Sequence, residues 1–168
     1  MRESEGFGVV WLQQGSEVSG GSLDTPNVGE YGTYARIVDW DQLPNALLGI
    51  TIEGHEPFDV QSVWREPSGL VKAEVVWRDI PETMQLPDSH ASLAEVLEGL
   101  LRHPQIQRLQ LDSDLTDGWR VGAQLAQLLP IDEGLKYWLQ GMTSVEQLLE
   151  EMDNILVELS GESDQTGR

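Results

Sequence analysis

The period of the hydrophobic residues changes once along this chain, and that change limits the fold more than any motif does. Up to about residue 84 the apolar side chains recur every second residue; beyond it they recur every three to four. A period of two belongs to a half-buried strand and a period near 3.6 to an amphipathic helix. The chain is therefore expected to fold as a β part followed by an α part. A βαβ fold is disfavoured, because no helical stretch interrupts the first half.

Five short strands are expected in the first half. Phe7 to Leu12 is a β-rich run, and Tyr31 to Trp40 reads as a longer one. Between them, Gly15 to Gly29 is rich in Gly, Ser and Asp and reads as a loop. Leu48, Ile50 and Ile52 alternate with smaller or polar residues. Phe58, Val60, Ser62 and Trp64 are expected on one face of the next strand, and Val71, Ala73, Val75 and Trp77 on one face of the last. Glu53-Gly54-His55-Glu56 and Glu66-Pro67-Ser68-Gly69 are the expected turns. Strands at this spacing suggest a small antiparallel sheet or barrel.

Four helices are expected in the second half. The first carries Leu93, Val96, Leu97, Leu100 and Leu101, with Ser92 and Glu95 as a capping box and His103-Pro104 as its end. The second runs from about Thr116 to Leu129 and stops before Pro130. The third is short and carries Leu135, Trp138, Leu139 and Met142. In the fourth, Thr143 and Glu146 form a capping box ahead of one stripe through Val145, Leu148, Leu149, Met152, Ile155, Leu156 and Leu159. Gly161 is placed to stop it.

Charge removes whole classes of function. Of 168 residues 29 are acidic and 10 basic, a net charge of −19. Nucleic acid and anionic membrane surfaces both require clustered Lys and Arg, so neither is an expected partner. No apolar run approaches the roughly 20 residues needed to span a bilayer. Met1-Arg2-Glu3-Ser4-Glu5 has no apolar region of the kind a signal peptide needs. There is no Cys, which excludes disulfides, thiolate metal sites and a Cys nucleophile. A cytoplasmic protein is the expectation.

No constellation for catalysis is visible. A phosphate loop ends in Gly-Lys-Ser/Thr, but the two lysines, Lys72 and Lys136, follow Val71 and Leu135. His55, His90 and His103 have no spacing that puts two ligands on one helix face, so no metal or other cofactor is expected. Asp112-Ser113-Asp114-Leu115-Thr116-Asp117-Gly118 resembles a calcium loop superficially. Its acids and Gly fall at the wrong positions, and a helix N-terminus is the better reading.

Several stretches are similar to a known family. Gly32-Thr33-Tyr34-Ala35-Arg36-Ile37-Val38-Asp39-Trp40-Asp41-Gln42-Leu43-Pro44 and Leu47-Leu48-Gly49-Ile50-Thr51-Ile52-Glu53-Gly54 resemble the middle of a Lon N-terminal, or substrate-binding, domain. Phe58-Asp59-Val60 leading to Trp64-Arg65 continues the likeness, as do Asp112-Ser113-Asp114, Gln124 to Ile131 and the closing Leu/Glu-rich helix. The ordered series spans about Phe7 to Leu159. It implies an α+β fold with a PUA-like β pseudobarrel over residues 1–84 and a helical bundle over 85–161. A disordered tail is expected over 162–168. Family members usually carry an apolar strand and a helix ahead of the segment matching Phe7 to Val10. The barrel is therefore expected to be N-terminally incomplete, with an uncovered sheet edge through which copies could pair.

The resemblance implies a non-catalytic module that binds unfolded or extended polypeptide, without the ATPase or peptidase of Lon, with a protease or other protein as a further partner to expect. An enzyme using carboxylates, or a structural domain acting through its acidic helical face, are the alternatives. Six tryptophans stand out. Trp11, Trp40, Trp64 and Trp77 fall one each on four of the five expected strands, and Trp119 and Trp138 in the helices. Large aromatics either fill a core or anchor an interface. On the second reading Trp40, Trp64 and Trp77 are the candidate substrate-binding residues.

Overall fold

Strand-forming residues gather before residue 80 and helix-forming residues after it, and the chain divides accordingly into two compact units, residues 1–80 and 81–168. The computed structural model describes residues 6–14, 26–42 and 47–165. Most of the expected Gly15–Gly29 loop lies outside the described residues; its end, from Asn27, already belongs to a strand. The architecture is α+β.

The first unit is an antiparallel meander of four strands: β1 (Phe7–Gln14), β2 (Asn27–Gln42), β3 (Leu48–Arg65) and β4 (Val71–Trp77), paired in that order. It is consistent with a PUA-like pseudobarrel, and among the described residues β1 and β4 are unpaired edges. Four strands replace the expected five, because Glu53-Gly54-His55-Glu56 does not turn the chain. Thr33 opposes Pro57 and Ala35 opposes Gly54, so β3 carries one extra residue there and passes through as a bulge. The second expected turn is present. The Glu66 and Leu70 backbones bond at 2.8 Å, and Gly69 has φ of 90°, a left-handed conformation that glycine adopts without strain.

Another bulge overturns a face. Val60 opposes Val75, but Ser62 opposes Glu74, so β3 gains a residue between them. Val63 and Arg65, not Ser62 and Trp64, continue the face of Phe58 and Val60.

The second unit holds five helices among the described residues: α1 (Ala91–Leu101), α2 (Pro104–Gln107), α3 (Gly118–Leu128), α4 (Glu133–Gln140) and α5 (Val145–Gln165). The caps differ from expectation by a residue or more. Ser92 lies inside α1, whose N-cap is His90. His103 does not merely end α1; its ring accepts from the Gln105 N–H and caps α2, a turn the sequence reading did not include. Ser144, not Thr143, caps α5, accepting from the Gln147 N–H at 3.3 Å while donating to Glu146. Gly161 does not end α5, which continues to Gln165. Of the expected disordered tail, residues 166–168 lie outside the described residues. No helix among the described residues is long and apolar enough to cross a membrane.

The expected stripe on α5 is the core. Leu148, Leu149 and Met152 are buried with Leu93 and Leu97 of α1, Val121 and Leu125 of α3 and Leu139 of α4. The α3–α5 approach requires Gly122, where a Cβ would stand 2.8 Å from Leu148 Cδ2 and Cγ. Gly122→Ala should therefore cost about 1–3 kcal/mol by overpacking. In Gly99→Ala, by contrast, nothing lies within 4 Å of the new methyl, and Ala's higher helix propensity should stabilise by up to about 1 kcal/mol. Leu149→Ala should lose about 2–5 kcal/mol. Denaturant unfolding of the three variants checks the signs.

Candidate functional site

The β unit buries little. Among the described residues its large buried side chain is Phe58, accompanied by Ala35. Among the described residues, sixteen exposed large hydrophobic residues lie within residues 7–80, against three after residue 80. A surface for an apolar ligand is therefore to be sought on the sheet.

One face of the sheet is concave and forms a trough of about 760 Å³. Its walls are the edge strands: Gly8, Val10 and Leu12 of β1 on one side, and Val71, Ala73, Val75 and Trp77 of β4 on the other. Val28 and Tyr34 of β2 and Phe58, Val60 and Val63 of β3 form the floor. Two strand glycines lie beneath the floor. A Cβ at Gly8 would stand 2.9 Å from the Phe58 ring. One at Gly32 would stand 2.9 Å from that ring and 2.7 Å from Val10 Cγ1. Phe58 thus lies down over two strand glycines.

An aromatic cluster fills one end. Trp77 meets Phe58 edge-on at 6.0 Å and Tyr34 edge-on at 5.8 Å, geometries favoured by the ring quadrupoles. Tyr34 Oη accepts from the Gly6 N–H at 2.9 Å, and the Arg36 guanidinium lies 5.6 Å from its ring. A hydrogen bond from Arg36, and then the Gly6 N–H, hold the Tyr34 hydroxyl below the usual tyrosine range. The other end closes at the β3–β4 turn. There Arg65 Nη1 donates to the Gly69 carbonyl at 2.9 Å and Lys72 Nζ pairs with Glu66 at 2.7 Å. The distance along β4 from Lys72 to Trp77 is roughly 16 Å at about 3.3 Å per residue.

The structure separates the three candidate tryptophans. Trp77 stands in the trough wall, 56% exposed despite its ring contacts. Trp64 borders the trough at the turn end, but opposes Lys72 in register and so alternates with Val63 and Arg65. Trp40 is elsewhere, 71% exposed on the far stretch of β2. Tyr34 and Phe58 were missed as site residues. The available signal was glycine inside two strands, at Gly8 and Gly32, which marks close approach of another group.

Among the described residues the lining contains no Ser, Thr, His, Asp or Glu, and its charged members, Arg65 and Lys72, are engaged as described. Lys136 Nζ donates to the Gln127 carbonyl at 2.8 Å. The acidic loop before α3 serves that helix: Asp117 is its N-cap, accepting from the Trp119 N–H at 3.0 Å. Asp114 holds the Thr116 N–H and hydroxyl, and Asp112 pairs with Arg120. No group of three or more potential metal ligands occurs among the described residues.

The Arg36 hydrogen bond and the Gly6 N–H together make the Tyr34 hydroxyl easier to ionise in the fold. The tyrosinate is favoured in the fold, so its contribution is present above the unfolded value and vanishes as pH falls through the folded one. Absorbance at 295 nm against pH identifies the Tyr34 step as the one lost in Tyr34→Phe, and that step should move upward in Arg36→Gln. An unchanged step in Arg36→Gln would contradict the contact.

No protein-family model matches the sequence, and no curated protein matches it. Solved structures do. The crystal structure of a Lon N-terminal domain protein from Xanthomonas campestris superposes with a TM-score of 0.66 at 29% identity, covering 88% of this chain and 73% of that one. The N-terminal domain of the Mycobacterium avium complex Lon protease shares the fold, with a TM-score of 0.53 at 14% identity over 76% of this chain and 70% of that one. The chain is thus similar in fold to a Lon N-terminal domain.

Proposed function

We propose that this domain is a non-catalytic polypeptide-binding module that takes an extended, apolar segment into the trough between β1 and β4. The observation that carries the proposal is that β1 and β4, edge strands without a further partner among the described residues, face one apolar trough. Edge strands offer backbone N–H and C=O groups to an incoming strand, and the apolar walls give its side chains somewhere to go. Likeness to Lon N-terminal domains supports the same reading. Trp77 is the aromatic anchor, Trp64 a rim contact at the opposite end, and Ala73 and Val75 the wall between.

Unfolded, fluorescently labelled casein measures this directly by anisotropy. Ala73→Glu places an unpaired carboxylate in the wall and should weaken binding by roughly tenfold or more, since a desolvated charge costs several kcal/mol. Trp77→Ala should weaken it by a similar factor. Trp138→Ala, in the helical unit, should leave it unchanged. Equal binding by all three variants overturns the site. The pure protein should hydrolyse neither ATP nor casein, because the sequence supplies no phosphate loop and the described residues of the trough include no Ser, Thr or Cys. Casein degradation that disappears in Lys72→Ala would refute the non-catalytic reading.

A further inference from the structure

Beyond the four-stranded region, β2 and β3 continue as a two-stranded arm. β1 pairs with β2 only as far as Ala35, and β4 with β3 only from Phe58, whereas β2 and β3 stay paired out to Gln42 and Leu48. Directly opposed residues share a face, and alternate residues along one strand share it too. Ile37 opposes Ile52, Trp40 opposes Ile50 and Gln42 opposes Leu48. The arm therefore has one apolar face, built from Ile37, Trp40, Leu48, Ile50 and Ile52, all exposed by 44% or more. Its opposite face pairs Arg36 with Glu53, Asp39 with Thr51 and Asp41 with Gly49. Asp39 and Asp41 each give one carboxylate oxygen to the following backbone N–H, at 2.9 and 2.7 Å.

We infer that the apolar face of the arm is a second docking surface, separate from the trough, whose occupant is an extended segment of a partner protein carrying alternating apolar and basic residues. The charge selects this occupant. A ribbon one layer thick puts Asp39, Asp41 and Glu53 within a Debye length, about 8 Å at physiological salt, of anything seated on its other face. Against these three acids the arm sets Arg36 alone, and the chain as a whole carries −19. A second copy would bring the same −19 and the same acids, so charge repels it, while Lys or Arg flanking apolar side chains is attracted.

The test uses the full chain with Ala73→Glu and Trp77→Ala, so that the trough cannot contribute. The probe is a labelled peptide of alternating Leu and Lys. It should bind, and Trp40→Ser with Ile50→Ser should weaken it roughly tenfold or more, as loss of central anchors does. Asp39→Asn with Asp41→Asn should weaken it severalfold, with a smaller dependence on salt. A Leu/Glu peptide and a Ser/Lys peptide should both bind poorly, since each lacks one half of the required chemistry. Equal binding of the Ser/Lys peptide would mean attraction by charge alone and would overturn the proposal. So would equal binding of the Leu/Glu peptide, or indifference to Trp40→Ser with Ile50→Ser. A dimer in sedimentation that those two substitutions dissolve would assign the face to a second copy instead. Casein binding by the arm variants with an intact trough reports the first site independently.

Discussion

The β unit is organised by one ring. Phe58 lies across the concave face over Gly8 and Gly32, and neither strand tolerates a Cβ beneath it. The two glycines give up side-chain packing and strand propensity, and in exchange the ring of a third strand reaches the backbones of the first two. Trp77 is positioned against this assembly, its ring nearly perpendicular to those of both Phe58 and Tyr34. Without the ring at the bottom, the trough would have no fixed depth and its aromatic end no support.

The two units hold themselves together differently. In the helical unit a continuous set of leucines on α1, α3, α4 and α5 reaches full burial, with Gly122 allowing α3 and α5 to close. In the β unit most large apolar side chains keep contact with water, and the sheet relies on its hydrogen-bonded ladders and on local anchors such as Phe58 and the Arg78–Asp59 ion pair at 2.6 Å. Surface left apolar in this way is costly unless something is meant to occupy it.

The division into a β and an α unit was legible because period two and period 3.6 are imposed by backbone geometry, which side-chain chemistry does not alter. The stripe from Leu148 to Ile155 was legible for the same reason. The misreadings fall where one residue matters. Gly54 carries the same signal in a turn and in a bulge, and only the partner strand decides between them. Thr143 and Ser144 are both capable caps, and the choice depends on where the first turn of α5 meets its neighbours. Trp64 was assigned to the face of Phe58 by counting in twos, which fails once β3 gains a residue after Val60. Of the three tryptophans singled out, Trp77 needs no such correction, since β4 carries no extra residue between Val71 and Trp77.

The inserted residue at Val38 has a further consequence. Between the pairs Ile37–Ile52 and Asp39–Thr51, β2 spends two steps while β3 spends one. Strict alternation would set Ile37 in phase with Asp39 and Asp41, and Trp40 in antiphase to it. The bulge shifts the phase by half a cycle, so that Trp40 joins Ile37 and the two aspartates leave. Straightening the strand at this point would exchange its apolar and acidic surfaces without altering one amino acid. The chemistry of the arm is thus written in register as much as in composition, and an insertion or deletion nearby acts as an inversion of the surface rather than a change of length.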